Sequence, residues 1–270
     1  MKLSFSNLAW ERDDDGWVAE LLRGQGITSI DLVAAKYFPP GKPVVESEVR
    51  AARAWWAGWG IDIIGMQALF HGTTGLNLFG DAGTRQRMLA HLDVVCQVGA
   101  GFGATRLTFG APRVRDRGRL PEPDADARAM EFFRELGEIA GARGVTICLE
   151  PVPASMGGNF MTDTAGTARV VLGTQHPAIR LQLDLGSIAT NGEDLESLLG
   201  QVAPLVGHVH LSEPTLAPLG THQQAHAGTA KLLREFLPGH ILTIEMLTQA
   251  PTRREQMERA LEVALRHYRD

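Results

Sequence analysis

The chain has 270 residues and a formal net charge of −5 at pH 7, with 26 lysine and arginine residues against 31 aspartate and glutamate residues. Hydrophobic residues make up 44% and charged residues 21%, as in a folded globular protein and unlike a disordered or fibrous one. The mild acidity argues against nucleic acid as a partner, and no apolar run reaches the length of about 18 residues that crossing a membrane requires.

The N-terminal region and the cysteine content indicate where the protein resides. Four acidic side chains within residues 11–15 follow the N-terminus too closely for a secretory signal peptide. The two cysteines, Cys96 and Cys148, lie in apolar segments and cannot build a disulfide scaffold. We therefore expect a cytoplasmic protein.

Eight short apolar runs alternate with eight longer segments whose apolar residues recur at helical spacing. The predicted strands are residues 3–6, 29–33, 62–66, 104–108, 145–150, 179–184, 207–211 and 241–245. The predicted helices are residues 16–23, 46–58, 82–101, 124–142, 163–173, 194–205, 229–236 and 253–267.

Eight strand–helix repeats in about 250 residues are the count of a (β/α)8 barrel, the TIM barrel. A doubly wound open sheet usually has fewer repeats, and its first strand leads into a glycine-rich phosphate turn. Here Asn7, Leu8, Ala9 and Trp10 follow the first predicted strand instead. The sequence therefore predicts the α/β class, with a single (β/α)8 TIM barrel domain over residues 1–270.

The carboxyl ends of the last four predicted strands carry residues suited to metal binding: Glu150, Asp184, His210 and Glu245. They are 34, 26 and 35 residues apart, each about one strand–helix unit, and the strand ends of such a barrel face one shared site. Three carboxylates and one imidazole suit a divalent ion. A buried ion-pair cluster is the alternative, but no lysine or arginine ends these strands.

Four tripeptides resemble strand ends of the xylose-isomerase-like TIM barrels: Leu149-Glu150-Pro151, Gln182-Leu183-Asp184, His208-Val209-His210 and Ile244-Glu245-Met246. The resemblance extends in strand order over essentially the whole chain. This family includes sugar and sugar-phosphate isomerases and epimerases such as D-tagatose 3-epimerase and hydroxypyruvate isomerase, and more distantly endonuclease IV.

The resemblance implies one divalent metal ion, with Mn²⁺ placed first and Mg²⁺, Co²⁺ or Zn²⁺ as alternatives. Its ligands are then Glu150, Asp184, His210 and Glu245. The resemblance also implies that Glu150 and Glu245 are the catalytic pair of an isomerase or epimerase, which moves a proton through an enediolate of the sugar or sugar derivative.

Two positions depart from the ketohexose epimerases within this family. Ser187 stands where those enzymes usually have a substrate-binding histidine, and the stretch 212–216, which ends at Leu216, lacks their arginine. We therefore expect poor activity on free D-fructose or D-tagatose. A substrate with a carboxylate, phosphate or amine is expected to meet Lys36, Glu213 or the arginine-rich loop at residues 113–119, unless that loop is merely solvated or forms an interface.

The candidate substrate-binding residues are Lys36, Gln67, Asn159, His208, Glu213 and His222. Each has a structural alternative. Lys36 has Glu46 or Glu48 as possible salt-bridge partners, and Glu213 has a capping role in its loop. His208 shares a strand face with His210 one layer deeper, where it either bonds to a ligand carboxylate or belongs to the core.

Three other functions compete with the isomerase. An inosose-dehydratase-like lyase would use the same metal before losing water, and a sugar-binding barrel would lack catalysis. A nuclease like endonuclease IV needs more metal-binding histidines and a basic surface, against which the nine histidines and the negative net charge argue. The expected partner is a small polyol or sugar, with neither nucleic acid nor membrane, and a homo-oligomer is left open.

Overall fold

The computed structural model of the chain describes residues 1–38, 44–222 and 225–269. Eight parallel strands pair in chain order and close into a barrel, with the last strand paired to the first. They are β1 (Lys2–Ser6), β2 (Ser29–Val33), β3 (Asp62–Gln67), β4 (Arg106–Phe109), β5 (Thr146–Leu149), β6 (Ile179–Asp184), β7 (Val206–Leu211) and β8 (Ile241–Ile244). The predicted TIM barrel is therefore confirmed.

Helices follow every strand along the described part of the chain. They are α1 (Asp15–Gly24), α2 (Glu46–Gly58), α3 (Ala82–Phe102), α4 (Glu122–Ala142), α5 (Thr164–Thr174), α6 (Leu185–Asn191), α7 (Leu195–Val202), α8 (His226–Phe236) and α9 (Arg253–Tyr268). Apolar side chains at helical spacing, such as Leu89, Leu92 and Cys96 of α3, are buried as expected. None of the helices within these described ranges combines the length and apolar character that spanning a membrane needs.

The observed elements differ from the predicted ones mainly around the strand ends. The short helix α6 was not predicted; Asp184 caps it by accepting a hydrogen bond from the backbone N–H of Ser187 at 2.6 Å. β5 and β8 each end one residue earlier than predicted, so Glu150 and Glu245 begin the following loops. Their backbone N–H groups still bond to the neighbouring strands, at 3.1 and 3.0 Å.

The interior of the barrel is polar along much of its length. Hydrogen bonds cross it between strands that are not neighbours, as from Ser6 of β1 to Gln67 of β3 and between Asp31 of β2 and His208 of β7. All four side chains are buried. The apolar core lies mainly between the outer face of the barrel and the helices, which leaves the interior free to organise polar groups near the carboxyl ends of the strands.

A buried hydrogen-bond network joins the loop after β1 to α1 and α2. The Asp15 carboxylate accepts from Trp10 Nε1 at 2.8 Å and from the Tyr37 hydroxyl at 2.6 Å, and that hydroxyl accepts from Trp56 Nε1 at 3.0 Å. Trp10 is wholly buried and packs edge-on against Phe5. Its indole therefore stabilises the fold around the loop that follows β1.

Removal of the Tyr37 hydroxyl is expected to destabilise the fold. Tyr37→Phe leaves the Trp56 N–H and one Asp15 oxygen without their partner in a buried site, which costs about 1–3 kcal/mol in the free energy of unfolding. Urea denaturation followed by circular dichroism measures this loss. The control Arg50→Gln breaks an exposed ion pair with Glu46 and should cost about 0.5 kcal/mol or less. Equal stability of Tyr37→Phe and wild type would contradict the assigned network.

Candidate metal centre

The four predicted ligands lie together at the carboxyl ends of β5 to β8. His210 is at their centre: its Nδ1 atom is 3.1 Å from Glu150 Oε1, 3.1 Å from Glu245 Oε2 and 4.0 Å from Asp184 Oδ2. One ligand atom from each of the four residues lies within 4.8 Å of the others. The sequence separations therefore correctly anticipated that these side chains meet.

Hydrogen bonds from other elements of the barrel fix two of the carboxylates. Gln67 donates from Nε2 to Glu245 Oε1 at 2.6 Å, and its side-chain Oε1 atom accepts from the Ser6 hydroxyl at 2.6 Å. Asp184 accepts on Oδ1 from the Ser187 backbone N–H and on Oδ2 from the Ser212 hydroxyl at 2.5 Å. Because both Asp184 oxygens are engaged, its orientation in the cluster is set by the surrounding backbone and hydroxyls.

The Glu150 carboxylate occupies space that a side chain at position 110, directly after β4, would fill. A Cβ atom at Gly110 would be 1.8 Å from Glu150 Oε2, far inside van der Waals contact. Arg115 is buried beside this pair and donates to the backbone carbonyl of Glu150 at 2.7 Å. Glycine at position 110 and the bond from Arg115 thus hold Glu150 at the cluster.

The cluster concentrates negative charge in a buried place. Burial, followed by the charges of Glu245 and Asp184, raises the pKa of Glu150 to about 7 despite its contact with His210. Burial and the Glu245 charge also raise the pKa of Asp184. Among the described residues, no lysine or arginine forms an ion pair with these carboxylates. A divalent cation neutralises such repulsion, and three carboxylates with one imidazole are a donor set that fits it.

A cavity of about 220 Å³ lies over the cluster, between the loops that follow the strands. Its apolar lining consists of Pro112, Pro151, Val152, Pro153, Met156 and Leu216. The carboxylates of Glu150, Asp184 and Glu245 supply its charged wall. Within the described ranges, none of the lining residues is a lysine or an arginine.

Of the six candidate substrate-binding residues, Glu213 lines this cavity, and the other five are not among its described lining residues. Glu213 is buried and accepts hydrogen bonds from the backbone N–H of Gly220, from the backbone N–H of His222 at 2.7 Å and from His222 Nδ1 at 2.8 Å. Glu213 therefore fixes the loop after β7, in agreement with the alternative interpretation that it has a capping role in its loop. Gln67 contacts Glu245, and His222 contacts Glu213.

Lys36 and Asn159 are engaged away from the cluster. Lys36 Nζ donates to the carbonyl oxygens of Asn7 at 2.9 Å and Trp10 at 2.6 Å and lies 3.4 Å from Glu11 Oε1. Its acidic partner is thus Glu11 and not the predicted Glu46 or Glu48. The exposed Asn159 donates to the Asp116 carboxylate at 2.5 Å. Substrate contacts of the six candidates stay predictions.

The arginine-rich loop ties neighbouring loops together. Arg113 donates to the carbonyl oxygens of Phe70 and Thr73, and Arg117 donates to that of Asn159 at 2.8 Å. Arg119 is exposed. These bonds connect the loops after β3, β4 and β5, so most of the guanidinium groups are already engaged by backbone, and an anion contact of this loop stays a prediction.

Three residues that shape the centre were missed in the sequence. No sequence pattern marks Gly110 and Ser212 as part of the centre, because small residues after a strand are common. Asp31 did stand out, because it is a carboxylate between the apolar Ile30 and Leu32 of β2. The structure shows that it is wholly buried. Its Oδ2 atom is 2.6 Å from His208 Nε2, so His208 bonds to Asp31 and not to a predicted metal ligand. Burial raises the pKa of Asp31, but the charges of His208 and His210 and the hydrogen bond to His208 outweigh it and hold that pKa far below its usual range.

Comparisons with known proteins agree with this architecture. Residues 19–267 match the family model described as Xylose isomerase-like TIM barrel. A comparison of the sequence with curated proteins finds no match.

Solved structures with the same fold include D-psicose 3-epimerase in the presence of D-fructose, with a TM-score of 0.82, 15% identity and 100% of both chains covered. D-psicose 3-epimerase from Clostridium cellulolyticum H10 with D-tagatose has a TM-score of 0.81 and 16% identity over 100% of this chain and 98% of that one. The IOLI protein with a binding zinc atom has a TM-score of 0.76 and 15% identity over 99% of this chain and 98% of that one. At such identities, the likeness shows the fold alone.

A methyl group at position 110 should disturb the centre without unfolding the protein. In Gly110→Ala the new Cβ forces the flexible Glu150 carboxylate away from the other ligands, so we expect Mn²⁺ affinity to fall by at least about tenfold. The control Gly200→Ala places its methyl in open space on α7. Isothermal titration with Mn²⁺ compares the three proteins. Unchanged affinity in Gly110→Ala would show that Glu150 is not a ligand.

Metal binding should release protons near neutral pH. Because the pKa of Glu150 is raised to about 7, its carboxyl group holds a proton at about pH 6 and loses it when a cation binds. Mn²⁺ affinity should therefore rise between about pH 6 and about pH 8. Titrations in buffers of different ionisation enthalpy count the released protons. Binding at about pH 6 without proton release would contradict this assignment.

Proposed function

The chain belongs to the family of xylose isomerase-like TIM barrels, and on that premise we propose that it is a single-domain, metal-dependent isomerase or epimerase of a small sugar or sugar derivative. One observation carries the proposal: three carboxylates and His210 Nδ1 converge within 4.8 Å at the base of a cavity of about 220 Å³. Glu150, Asp184, His210 and Glu245 would hold the ion, with Mn²⁺ placed first.

The lining of the cavity favours an uncharged substrate. Its described residues supply carboxylates, small polar groups and apolar surface, but no basic side chain that would pair with a phosphate or a carboxylate. Lys36 and Arg113, which the sequence offered for such a group, donate to backbone carbonyls instead. We therefore propose a neutral ketose or ketose derivative in place of the charged substrate expected from the sequence. Leu216 would present it with an apolar wall.

Glu150 is the residue best suited to remove a proton from substrate carbon. Its carboxylate lines the cavity, where it would face the substrate, and glutamate is a residue that commonly serves as a general base. Its Oε1 atom faces His210, while its Oε2 atom points to the space beside Gly110 at the cavity wall. Glu150 would thus help to hold the ion while its Oε2 atom stays available to take the proton.

Glu245 is the partner that would return the proton. Gln67 holds its Oε1 atom, which leaves Oε2 facing His210 and keeps the carboxylate in one orientation. Return to the opposite face of the same carbon gives epimerisation, and return to the adjacent carbon gives isomerisation. Asp184 does not share this role because both of its oxygens already accept hydrogen bonds.

When bound, the metal ion supplies a positive charge that polarises the carbonyl and stabilises the negative charge left by proton removal. Apolar side chains line much of the cavity, and a less polar surrounding strengthens these electrostatic interactions. A cytoplasmic location and self-association stay predictions.

Conversion of either catalytic glutamate to glutamine should abolish most of the activity. Glu150→Gln and Glu245→Gln keep the side-chain size but remove the base, so each should lose at least about a hundredfold in rate. The control Glu138→Gln changes an exposed glutamate on α4 and should leave the rate unchanged. A panel of free and derivatised ketoses at fixed Mn²⁺ concentration, analysed by mass spectrometry, provides the rates and the products.

The same assay in D₂O distinguishes the competing reactions. Proton transfer through the two glutamates should give a product of unchanged composition with deuterium on the reacting carbon. Loss of about 18 mass units, one water, would identify a lyase instead. Conversion without solvent deuterium, with either glutamine variant still active, would overturn the two-glutamate mechanism.

A further inference from the structure

Asp31 lies behind the imidazole of His210, on the side away from the ligand carboxylates. Nδ1 of that ring faces Glu150 and Glu245, whereas its Nε2 atom lies 3.7 Å from Asp31 Oδ2. Asp31 and His210 are both wholly buried. The ring thus stands between the proposed metal position and a second, deeper carboxylate.

The surroundings of Asp31 keep its carboxylate in this place. His208 Nε2 bonds to Oδ2 at 2.6 Å, which engages one of the two oxygens. Gly65 of β3 lies opposite, and a Cβ atom there would be 2.5 Å from the carboxylate atoms of Asp31. Among the described residues, Asp31 Oδ1 and His210 Nε2 are buried without a hydrogen-bond partner. A proton on His210 Nε2 would face this buried carboxylate, whose Oδ2 atom lies 3.7 Å away, and a lone pair on that nitrogen would face it less favourably.

The two nitrogens of a neutral imidazole cannot both offer a lone pair. If Nδ1 of His210 ligates the ion, the ring proton must be on Nε2, and a carboxylate facing Nε2 favours that tautomer. We propose that Asp31 is a positioning residue that keeps the His210 proton on Nε2 and thereby presents Nδ1 to the metal. This inference rests on the proposed metal-dependent function.

The test replaces the Asp31 carboxylate with an amide of the same size. In Asp31→Asn, the amide oxygen can still bond to His208. The amide carries no negative charge, so it favours a proton on His210 Nε2 less than the carboxylate does. If the amide NH₂ group faces Nε2 instead, it favours a lone pair on that nitrogen. Mn²⁺ affinity, measured by competition with a chromophoric chelator, should fall by about 10–100-fold. The matched control is Asp15→Asn, which neutralises another buried carboxylate, one that lies outside the centre and accepts two hydrogen bonds. It should lose stability but keep its Mn²⁺ affinity.

A spectroscopic measurement on the wild-type protein needs no variant to fold. With Zn²⁺ as the diamagnetic probe and ¹⁵N-labelled histidine, the His210 resonances should show metal on Nδ1 and a proton on Nε2. Asp31→Asn should shift these two resonances. Zinc on Nε2 in the wild type would overturn the inference even if the variant does not fold.

The possible failures are distinguishable. If wild type binds neither Mn²⁺ nor Zn²⁺, both the proposed function and this inference fail. If wild type binds the ion and Asp31→Asn binds it equally tightly with unchanged His210 resonances, the inference alone fails, and Asp31 serves only to bond His208.

Discussion

Three carboxylates share a small buried space around His210, and their mutual repulsion is the constraint on which the arrangement of the barrel mouth depends. Burial and like charge raise the pKa of Glu150 and of Asp184, so the cluster is costly unless protons or a cation occupy it. Gln67 of β3, from across the barrel, and Ser212, directly after β7, restrain its carboxylates with hydrogen bonds. The cost of holding these groups together is the physical reason to infer a divalent ion.

Other parts of the fold offset the free energy that is needed to hold these carboxylates together. Many TIM barrels fill their interior with branched apolar side chains, but here Ser6, Asp31 and His208 make the interior polar, and burial of apolar surface takes place between the strands and the helices. Loops that would otherwise be free around the cavity are restrained by Arg113 and Glu213. Groups that are held before any ligand binds lose little entropy when it does, and this favours precise proton transfer.

The sequence predicts the barrel because buried parallel strands are short apolar runs, and it predicts the cluster because the strand ends of a closed barrel converge. It could not reveal contacts that depend on side-chain direction. His208 meets Asp31 across the barrel, 177 residues away, and Lys36 turns to loop carbonyls that no spacing rule marks. The helix α6 escaped prediction because it has only seven residues, among them glycine, serine, threonine and asparagine, which are weak helix formers.

The central claim is that four side chains from successive strands hold one divalent ion. A crystal structure of the protein grown with Mn²⁺, with data collected on both sides of the manganese absorption edge, tests it most directly. We expect one anomalous peak bound by Glu150, Asp184, Glu245 and Nδ1 of His210. An ordered site without a peak at saturating Mn²⁺, or a peak held by other residues, would contradict it.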